Sequence, residues 1–224
     1  MGEQSFNPIE TTPLISNSNT ASLIEETLKK VLEPTNISEQ EKISNFHHAV
    51  DNIMQSFPFV CRSECCACCY QPVDVYPQEA ELIKQFIRNN LSKEDRHEIK
   101  KGCEDFVENY NQIYELNIEF WDEVLPLYEY MLDKLSQRHM ECPFLKNNIC
   151  LIYPVRPTMC RTHAMTSEPE KCFTHNTRNP SWQSRLVAIT AHALLTKLNN
   201  GKGPNAIVHT LSETIDLKHP LKGF

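Results

Sequence analysis

Five of nine consecutive residues in this chain are cysteines. Residues 61–69 read Cys-Arg-Ser-Glu-Cys-Cys-Ala-Cys-Cys, and the 224-residue sequence holds ten cysteines in all. A second group, formed by Cys142, Cys150 and Cys160, lies far downstream. Thiols at this density indicate a thiolate-bound metal, a redox couple or a disulfide framework. Which of these applies decides the functional class of the protein.

The spacing of the cysteines favours a metal site. Cys61, Cys65 and Cys68 follow one another at intervals of four and three residues, so one turn of chain can direct several thiolates to a metal ion at about 2.3 Å. Adjacent side chains point apart, and we therefore expect the downstream cysteines to complete the coordination shell. The predicted metal ligands are Cys61, Cys65, Cys68, Cys69, Cys142, Cys150 and Cys160.

The other three cysteines are predicted to have different roles. Cys103 lies on an apolar stripe between Ile99 and Phe106, so we predict a thiol that is packed in the core. Cys66 sits between predicted ligands and is interpreted as a bystander. Cys172 follows the second group, and it is either a further ligand or an ordinary loop thiol.

Cationic and histidine side chains border the two groups. Arg62, Arg156 and Arg161 flank thiols, and their guanidinium groups would offset thiolate charge and lower thiol pKa values. The alternative for them is ordinary surface charge or, for Arg156, packing between prolines. His163 is either a mixed ligand or a loop residue. The pair His47-His48 is predicted to lie on a helix surface.

Composition limits the class of protein. Hydrophobic residues make up 40% of the chain, and the mean hydropathy is −0.45, which is typical of a soluble globular protein with a sizeable core. The net charge is −7, whereas a nucleic-acid binder usually carries an excess of basic residues. We see neither a signal peptide nor a membrane span. These features predict a cytoplasmic protein, where clustered cysteines bind metal more often than they form disulfides.

Apolar periodicity predicts a mainly α fold. Helix starts are indicated by Ser38 as an N-cap, Pro77 in a first turn and Ser92, and one helix end by Asn200-Gly201. Pro126 should either kink the helix that contains it or mark the start of a new one. The apolar stripes of the predicted helices span residues 23–32, 43–57, 82–91, 99–114, 121–135, 182–198 and 207–215.

The other segments complete the predicted organisation. Residues 1–20 are expected to be a disordered arm, residues 21–218 a single helical domain, and residues 219–224 a tail. A very short strand is predicted at 73–75, and a short hairpin with irregular loops within 141–180. There is no β–α alternation and there are only five glycines, which argues against a doubly wound sheet or a barrel.

The two cysteine groups together resemble a known family. Residues 61–69 are similar to the Cys-x-x-Cys-x-x-Cys-Cys signature of the YkgJ-type cysteine cluster family of zinc- or iron-chelating domains. The downstream segment resembles that family more closely, in Cys142-Pro143-Phe144-Leu145, Cys150-Leu151-Ile152-Tyr153, Arg156-Pro157 and Cys160-Arg161. Three residues separate Cys61 from Cys65 where the family commonly has two, and Cys66 stands where glycine is frequent. The ligands that the resemblance implies are Cys65, Cys68, Cys69, Cys142, Cys150 and Cys160.

The sequence leaves three functions open. The first is a metal-binding protein whose thiolates hold Zn²⁺ or an iron–sulfur cluster, between which the residues do not choose. The second is a cluster-dependent enzyme for methyl transfer or redox chemistry. The radical-SAM spacing of Cys61, Cys65 and Cys68 would need a βα barrel, which this chain does not predict. The third is a helical interaction protein with a structural metal. The expected partner is a metal ion, with neither nucleic acid nor membrane, and no protein partner is identified.

Overall fold

The computed structural model describes residues 19–33, 35–59, 61, 65–70, 73–115, 140–165 and 181–206. Most of these residues are helical, which confirms the predicted mainly α fold. The helices are α1 (Asn19–Leu32), α2 (Glu39–Gln55), α3 (Pro77–Asn90), α4 (Lys93–Glu115), α5 (Thr158–Thr162) and α6 (Trp182–Leu198). The strands are β1 (Asp74–Val75), β2 (Leu145–Lys146), β3 (Ile149–Cys150) and β4 (Asn205–Ala206). Short 3₁₀ helices occupy Ala67–Tyr70 and Tyr153–Val155.

Local residue chemistry sets the helix ends. The side chain of Ser38 accepts a hydrogen bond from the backbone N–H of Glu41 at 3.1 Å, which satisfies one of the unpaired donors of the first turn of α2. Pro77 is the first residue of α3. After α6, Asn200 and Gly201 adopt positive φ values of 54° and 80°, a conformation that glycine adopts without a steric penalty. These three predicted boundaries are confirmed.

Two apolar cores hold the described helices together. One lies between α1, α2 and α6 and includes Leu28, Phe46 and Val187, all of which are fully buried. The other lies between α3, α4 and the segment that follows Met140. Its buried members are Val75, Ala80, Ile83, Ile87, Ile99, Cys103, Phe106, Phe144 and Ile152. Cys103 is 0% exposed, as its position on the apolar stripe predicts.

The downstream cysteine segment folds as a hairpin followed by two short helical turns. β2 pairs with β3 in antiparallel register, and Asn147 and Asn148 connect the strands with φ values of 53° and 62°. Two successive positive φ values match the twist of the flanking strands, so the predicted hairpin is confirmed. The sequence predicts irregular loops beyond it, whereas the structure has a 3₁₀ helix and α5. Five residues are too few for α5 to show helical periodicity.

Helix α1 begins at Asn19, inside the stretch predicted as a disordered arm. The strand predicted at 73–75 is β1, and it pairs with β4, a partner that the sequence did not indicate. The predicted helices at 121–135 and 207–215 and the tail at 219–224 lie outside the described residues. No helix in the described part of the chain combines the length and apolarity needed to cross a membrane.

Candidate metal centre

A backbone hydrogen bond joins the two cysteine segments directly. The N–H of Cys142 donates to the carbonyl oxygen of Cys69 at 2.6 Å. In the first segment the 3₁₀ helix Ala67–Tyr70 carries Cys68 and Cys69, and the N–H of Cys69 donates to the carbonyl of Cys66 at 2.8 Å. Residues that are remote in sequence therefore meet at the main chain, which places their side chains in the same region.

Three local structures present the downstream cysteines. Cys142 stands just before the hairpin, and its carbonyl accepts the N–H of Leu145 at 2.9 Å. Cys150 is the last residue of β3, directly opposite Leu145. Cys160 lies in α5, which begins directly after Pro157. The buried side chains Phe144 and Ile152 fix the hairpin against the second core, so Cys142 and Cys150 hold a defined position relative to α3 and α4.

Six of the seven predicted ligands line one cavity. Its volume is about 80 Å³, well below the roughly 300–1,000 Å³ of typical pockets for drug-sized ligands. The space therefore suits a metal ion or a compact cluster better than an organic substrate. Val73, Phe144 and Ile152 add apolar surface to the lining. The thiols that line this cavity, which we call the thiol cavity, are those of Cys65, Cys66, Cys68, Cys69, Cys142, Cys150 and Cys160.

The positions of two cysteines differ from those that the sequence predicts. Cys61 does not belong to the lining of the thiol cavity, although it was among the predicted ligands. Its sulfur accepts the N–H of Met165 at 3.4 Å, and its side chain packs against Ala67 and Met165. Cys66, interpreted from the sequence as a bystander, lines the cavity, and its sulfur lies 3.6 Å from Asn148 Oδ1. Cys172 and Arg62 lie outside the described residues.

His163 lines a different depression. That groove lies between α5 and α6, has a volume of about 480 Å³, and is bordered by Met159, His163, Arg185 and His192 among others. The structure does not place His163 in the lining of the thiol cavity, so a mixed Cys/His ligand set gains no support from its position.

Burial and crowding disfavour ionisation of Cys69, Cys142, Cys150 and Cys160. Burial above all, together with the neighbouring Cys150 and Cys68, raises the pKa of Cys142 to about 12. Burial, followed by Cys68, Cys142 and Cys150, raises the pKa of Cys160 well above its ordinary value. The hydrogen bond with Cys68 is the largest cause of the raised pKa of Cys69. A bound cation would reverse this balance, because it stabilises thiolates and displaces their protons.

Two arginines stand beside the thiols, Arg156 on the loop before α5 and Arg161 within α5. Arg161 is 6% exposed. Its Nε donates to the carbonyl of Arg156 at 2.8 Å, its Nη2 donates to the carbonyl of Pro154 at 2.7 Å, and its Nη1 pairs with Asp51 of α2. Arg156 lies 3.5 Å from the same carboxylate and lines the thiol cavity. Asp51 thus ties α2 both to the loop that carries Arg156 and to helix α5, which carries Arg161.

A buried histidine–glutamate pair lies next to the start of α5, the helix that carries Cys160. His47 is 3% exposed, so its predicted surface position is wrong, while His48 is exposed as expected. The Nε2 of His47 lies 2.9 Å from Glu79 Oε1. Glu79 also accepts the N–H of Thr158 at 2.7 Å and that of Tyr76 at 3.0 Å. The pair therefore links α2, α3 and the start of α5, the helix that carries Cys160.

The sequence contains local signals for the positions of His47 and Glu79 but none for the contacts of Asp51. The buried positions of α2 include 43, 46, 47, 50 and 54, which recur at helical spacing and place His47 on the apolar stripe. Glu79 is the third residue of a helix that begins with Pro77, where a glutamate often accepts the N-cap N–H. Nothing local to Asp51 indicates its contacts with Arg156 and Arg161, because those residues are remote in sequence.

The donor set fits a thiolate-bound metal, although the sulfur positions do not yet form a coordination shell. Among the described residues, no group of three or more Cys, His, Asp or Glu side chains has the mutual arrangement that a metal ion requires. No disulfide links the described cysteines. Rotation about χ1 changes where each sulfur lies. The shared cavity brings together soft sulfur donors, which suit Zn²⁺ and iron.

Residues 60–183 match a family model described as "CxxCxxCC: Putative zinc- or iron-chelating domain". The matched range covers more than half of the 224-residue chain. It contains both cysteine segments and all seven predicted ligands. No curated protein and no solved structure matches the chain.

Proposed function

The chain belongs to the CxxCxxCC family of zinc- or iron-chelating domains, and on that premise we propose that its clustered thiolates hold Zn²⁺ or an iron–sulfur cluster. The observation that supports this proposal best is that thiols from two remote segments line one cavity of about 80 Å³. The proposed ligands are drawn from Cys65, Cys68, Cys69, Cys142, Cys150 and Cys160, and Cys61 stands next to them.

The number of thiols exceeds the need of a single centre. Four thiolates complete the tetrahedral shell of a structural zinc ion, and four cysteines likewise hold one iron–sulfur cluster. The thiol cavity offers six of the predicted ligands together with Cys66. The bound metal would cross-link the two segments and, if it is iron, would also supply one-electron redox chemistry. The sulfurs beyond four are available for exchange or for bridging.

Serine substitutions test the ligand assignment. We expect Cys68→Ser and Cys150→Ser to lower the metal-to-protein ratio, because each removes a sulfur from a different segment of the cavity. Cys103→Ser is the matched control, since Cys103 is equally a cysteine but lies in the apolar core. It should lose some stability through a buried hydroxyl and keep its metal. Elemental analysis of protein that is isolated without oxygen gives the ratio for each variant.

Two results would contradict the proposal. One is a parent protein that contains no zinc or iron and takes up neither when it is supplied. The other is an unchanged metal ratio when Cys142, Cys150 and Cys160 are all replaced by serine, which would remove the downstream segment from the ligand set. Cys61→Ser decides the remaining assignment. Because Cys61 is outside the cavity lining, we expect a smaller loss of metal than in Cys68→Ser.

Colour distinguishes the two metals. A protein with an iron–sulfur cluster is brown and absorbs visible light, whereas zinc-loaded protein is colourless. A brown protein would keep the redox and methyl-transfer alternatives open as hypotheses. A colourless zinc protein whose coordination shell is filled by cysteines would favour a structural role, because a catalytic zinc retains an open position.

A further inference from the structure

The thiol cavity has one charged side chain in its described lining. Cysteines, apolar residues, Asn148 and Tyr153 make up most of the wall, and Arg156 is the exception. No carboxylate or lysine is found among the described lining residues. A permanently charged guanidinium therefore faces a cavity whose other polar groups are mainly thiols.

The position of Arg156 is fixed from two sides, yet part of its hydrogen-bonding capacity is unused. Its Cζ lies 4.0 Å from the centre of the Tyr153 ring, a distance typical of a cation–π contact. Its Nη2 lies 3.5 Å from Asp51 Oδ1. The Nε atom is buried and has no hydrogen-bond partner. A buried donor without an acceptor is unfavourable, so an acceptor that arrives in the cavity would relieve it.

Arg161 is not an equivalent candidate. Its guanidinium is engaged by Asp51 and by the carbonyls of Pro154 and Arg156, and Arg161 is not part of the described lining of the cavity. These contacts shape the loop on which Arg156 stands. The two arginines therefore have different roles. Arg161 stabilises the loop by hydrogen bonds to its carbonyl groups, and Arg156 lines the cavity together with the thiols.

From this arrangement, and resting on the proposed function, we infer that Arg156 is the counter-cation of the metal centre and donates a hydrogen bond to a ligand thiolate. A divalent ion with four thiolates carries a net charge of about −2, by the charges of its parts. A cation in the wall of a small, partly apolar cavity offsets that charge more effectively than one in water. Arg156 thereby favours a centre with net negative charge, which means one rich in thiolate. Asp51 and Tyr153 are positioning residues that hold Arg156 in place.

Three substitutions test the role of Arg156. The first is Arg156→Gln, which removes the charge and keeps a polar side chain, and the second is Arg156→Lys, which retains the charge. The third is the control Arg185→Gln, which removes the same charge from an exposed position on α6. Each protein is stripped of metal, and its affinity for Zn²⁺ is measured by competition with a chromogenic chelator. The melting temperature of the stripped protein and the thiolate-to-metal absorption of the Co²⁺ form are recorded in parallel.

We expect Arg156→Gln to bind Zn²⁺ about 10- to 100-fold more weakly, the range usual for residues that support metal ligands. The Co²⁺ spectrum should keep its intensity, because the number of thiolates is unchanged, and Arg156→Lys should recover part of the affinity. Arg185→Gln should match the parent. A merely structural role would instead lower the melting temperature of the stripped protein and would gain nothing from lysine.

Two outcomes would overturn the inference, and they differ in what else they affect. If the parent binds Zn²⁺ and Arg156→Gln binds it equally well, the inference fails while the proposed function stands. If the parent itself binds neither Zn²⁺ nor Co²⁺ through thiolates, the proposed function fails first and the role of Arg156 fails with it.

Discussion

At the scale of single residues, the supporting polar groups are as informative as the cysteines. Glu79 is 1% exposed and accepts hydrogen bonds from His47 and from two backbone N–H groups. Burial by itself raises the pKa of Glu79, but His47 and Thr158 outweigh that effect and the pKa is lowered. The pKa of His47 is also lowered, because burial disfavours the imidazolium more than Glu79 favours it. The pair therefore prefers a neutral histidine that donates to an ionised glutamate.

This preference makes stability sensitive to acid. Both groups hold protons less tightly in the folded than in the unfolded protein, so the stabilisation is complete above the ordinary His pKa of 6.5 and is lost as the pH falls. Charges on Asp51 and Arg161 face His47 as well, with opposite effects. The pKa of His192 is likewise lowered by burial and contributes in the same direction. We expect His47→Gln to flatten the decline in unfolding free energy that accompanies a fall in pH below about 6.5.

Urea denaturation of parent and variant in the same metal state measures this effect. His97→Gln is the control, because His97 is exposed on α4 and should leave the slope as it is. An identical pH slope in His47→Gln and the parent would show that His47 does not carry the effect.

The sequence indicated the cysteines of the thiol cavity by residue type and spacing, and it predicted that the two groups meet, but it did not indicate which thiols line the cavity. Cys61 illustrates the limit. Its spacing from Cys65 and Cys68 is as favourable as that of the others, but a hydrogen bond from Met165 and contacts with Ala67 place it beside the cavity. Such a distinction depends on residues a hundred positions away, which spacing along the chain does not encode.

At the scale of elements, a close approach between α4 and the second cysteine segment determines where Cys142 lies. A Cβ at Gly102 would stand 3.2 Å from Pro143 Cβ and 3.4 Å from Pro143 Cα. Those distances are tighter than ordinary side-chain contacts, and the proline ring has little freedom to move. Glycine in a helix interior is otherwise unfavourable by about 1 kcal/mol relative to alanine. At this position it lets the backbone next to Cys142 pack directly on α4.

We therefore expect Gly102→Val to displace Pro143, lower the free energy of unfolding by about 1–3 kcal/mol and reduce the bound metal per chain. Lys101→Val is the control, since Lys101 is the exposed neighbour on the same helix and a β-branched residue there has a similar helix propensity. Chemical denaturation and elemental analysis of both variants measure the two effects. Equal stability and metal content in the two variants would mean that this contact does not position Cys142.

The long elements were predictable from the sequence because each carries its own signals. Ser38, Pro77 and Asn200-Gly201 mark helix ends by local chemistry that operates within a few residues. Helix α5 has no such signal, since it spans only Thr158–Thr162 and depends on Glu79, which receives the Thr158 N–H from another helix. The pairing of β1 with β4 is a long-range contact of the same kind. Elements that are stabilised by residues remote in sequence cannot be predicted from the local sequence pattern.

At the scale of the whole molecule, the thiols lie where different apolar clusters meet. Cys142 and Cys150 pack against the core of α3 and α4, whereas Cys65 packs with Ala67 and Met165 in a small separate cluster. Asp51 and the His47–Glu79 pair connect α2 to the loop and helix that carry Cys160. A metal bound in the cavity would thus cross-link parts of the fold that apolar contacts hold separately.

Metal removal should for this reason weaken one region more than the rest. We expect a chelator to lower the melting temperature and to raise amide hydrogen exchange in 65–70 and 142–160 more than in α1 and α6. Ligand binding at 100 times its dissociation constant adds about 2.7 kcal/mol, so the midpoint should rise with free metal. Differential scanning fluorimetry and hydrogen–deuterium exchange measure these changes. A uniform increase in exchange over all described helices, or no change at all, would contradict a local cross-link.

The hydrogen bond from Cys142 to Cys69 has a consequence for biosynthesis. A ribosome adds about 5–20 residues per second, so the N-terminal thiols leave the exit tunnel seconds before their downstream partners exist. During that interval the nascent chain exposes the cysteines of the first segment without those of the second. These thiols can then be oxidised or can bind an unsuitable metal ion. Cells that make this protein would therefore gain from loading it late in translation, when the hairpin has emerged and can close over the earlier segment.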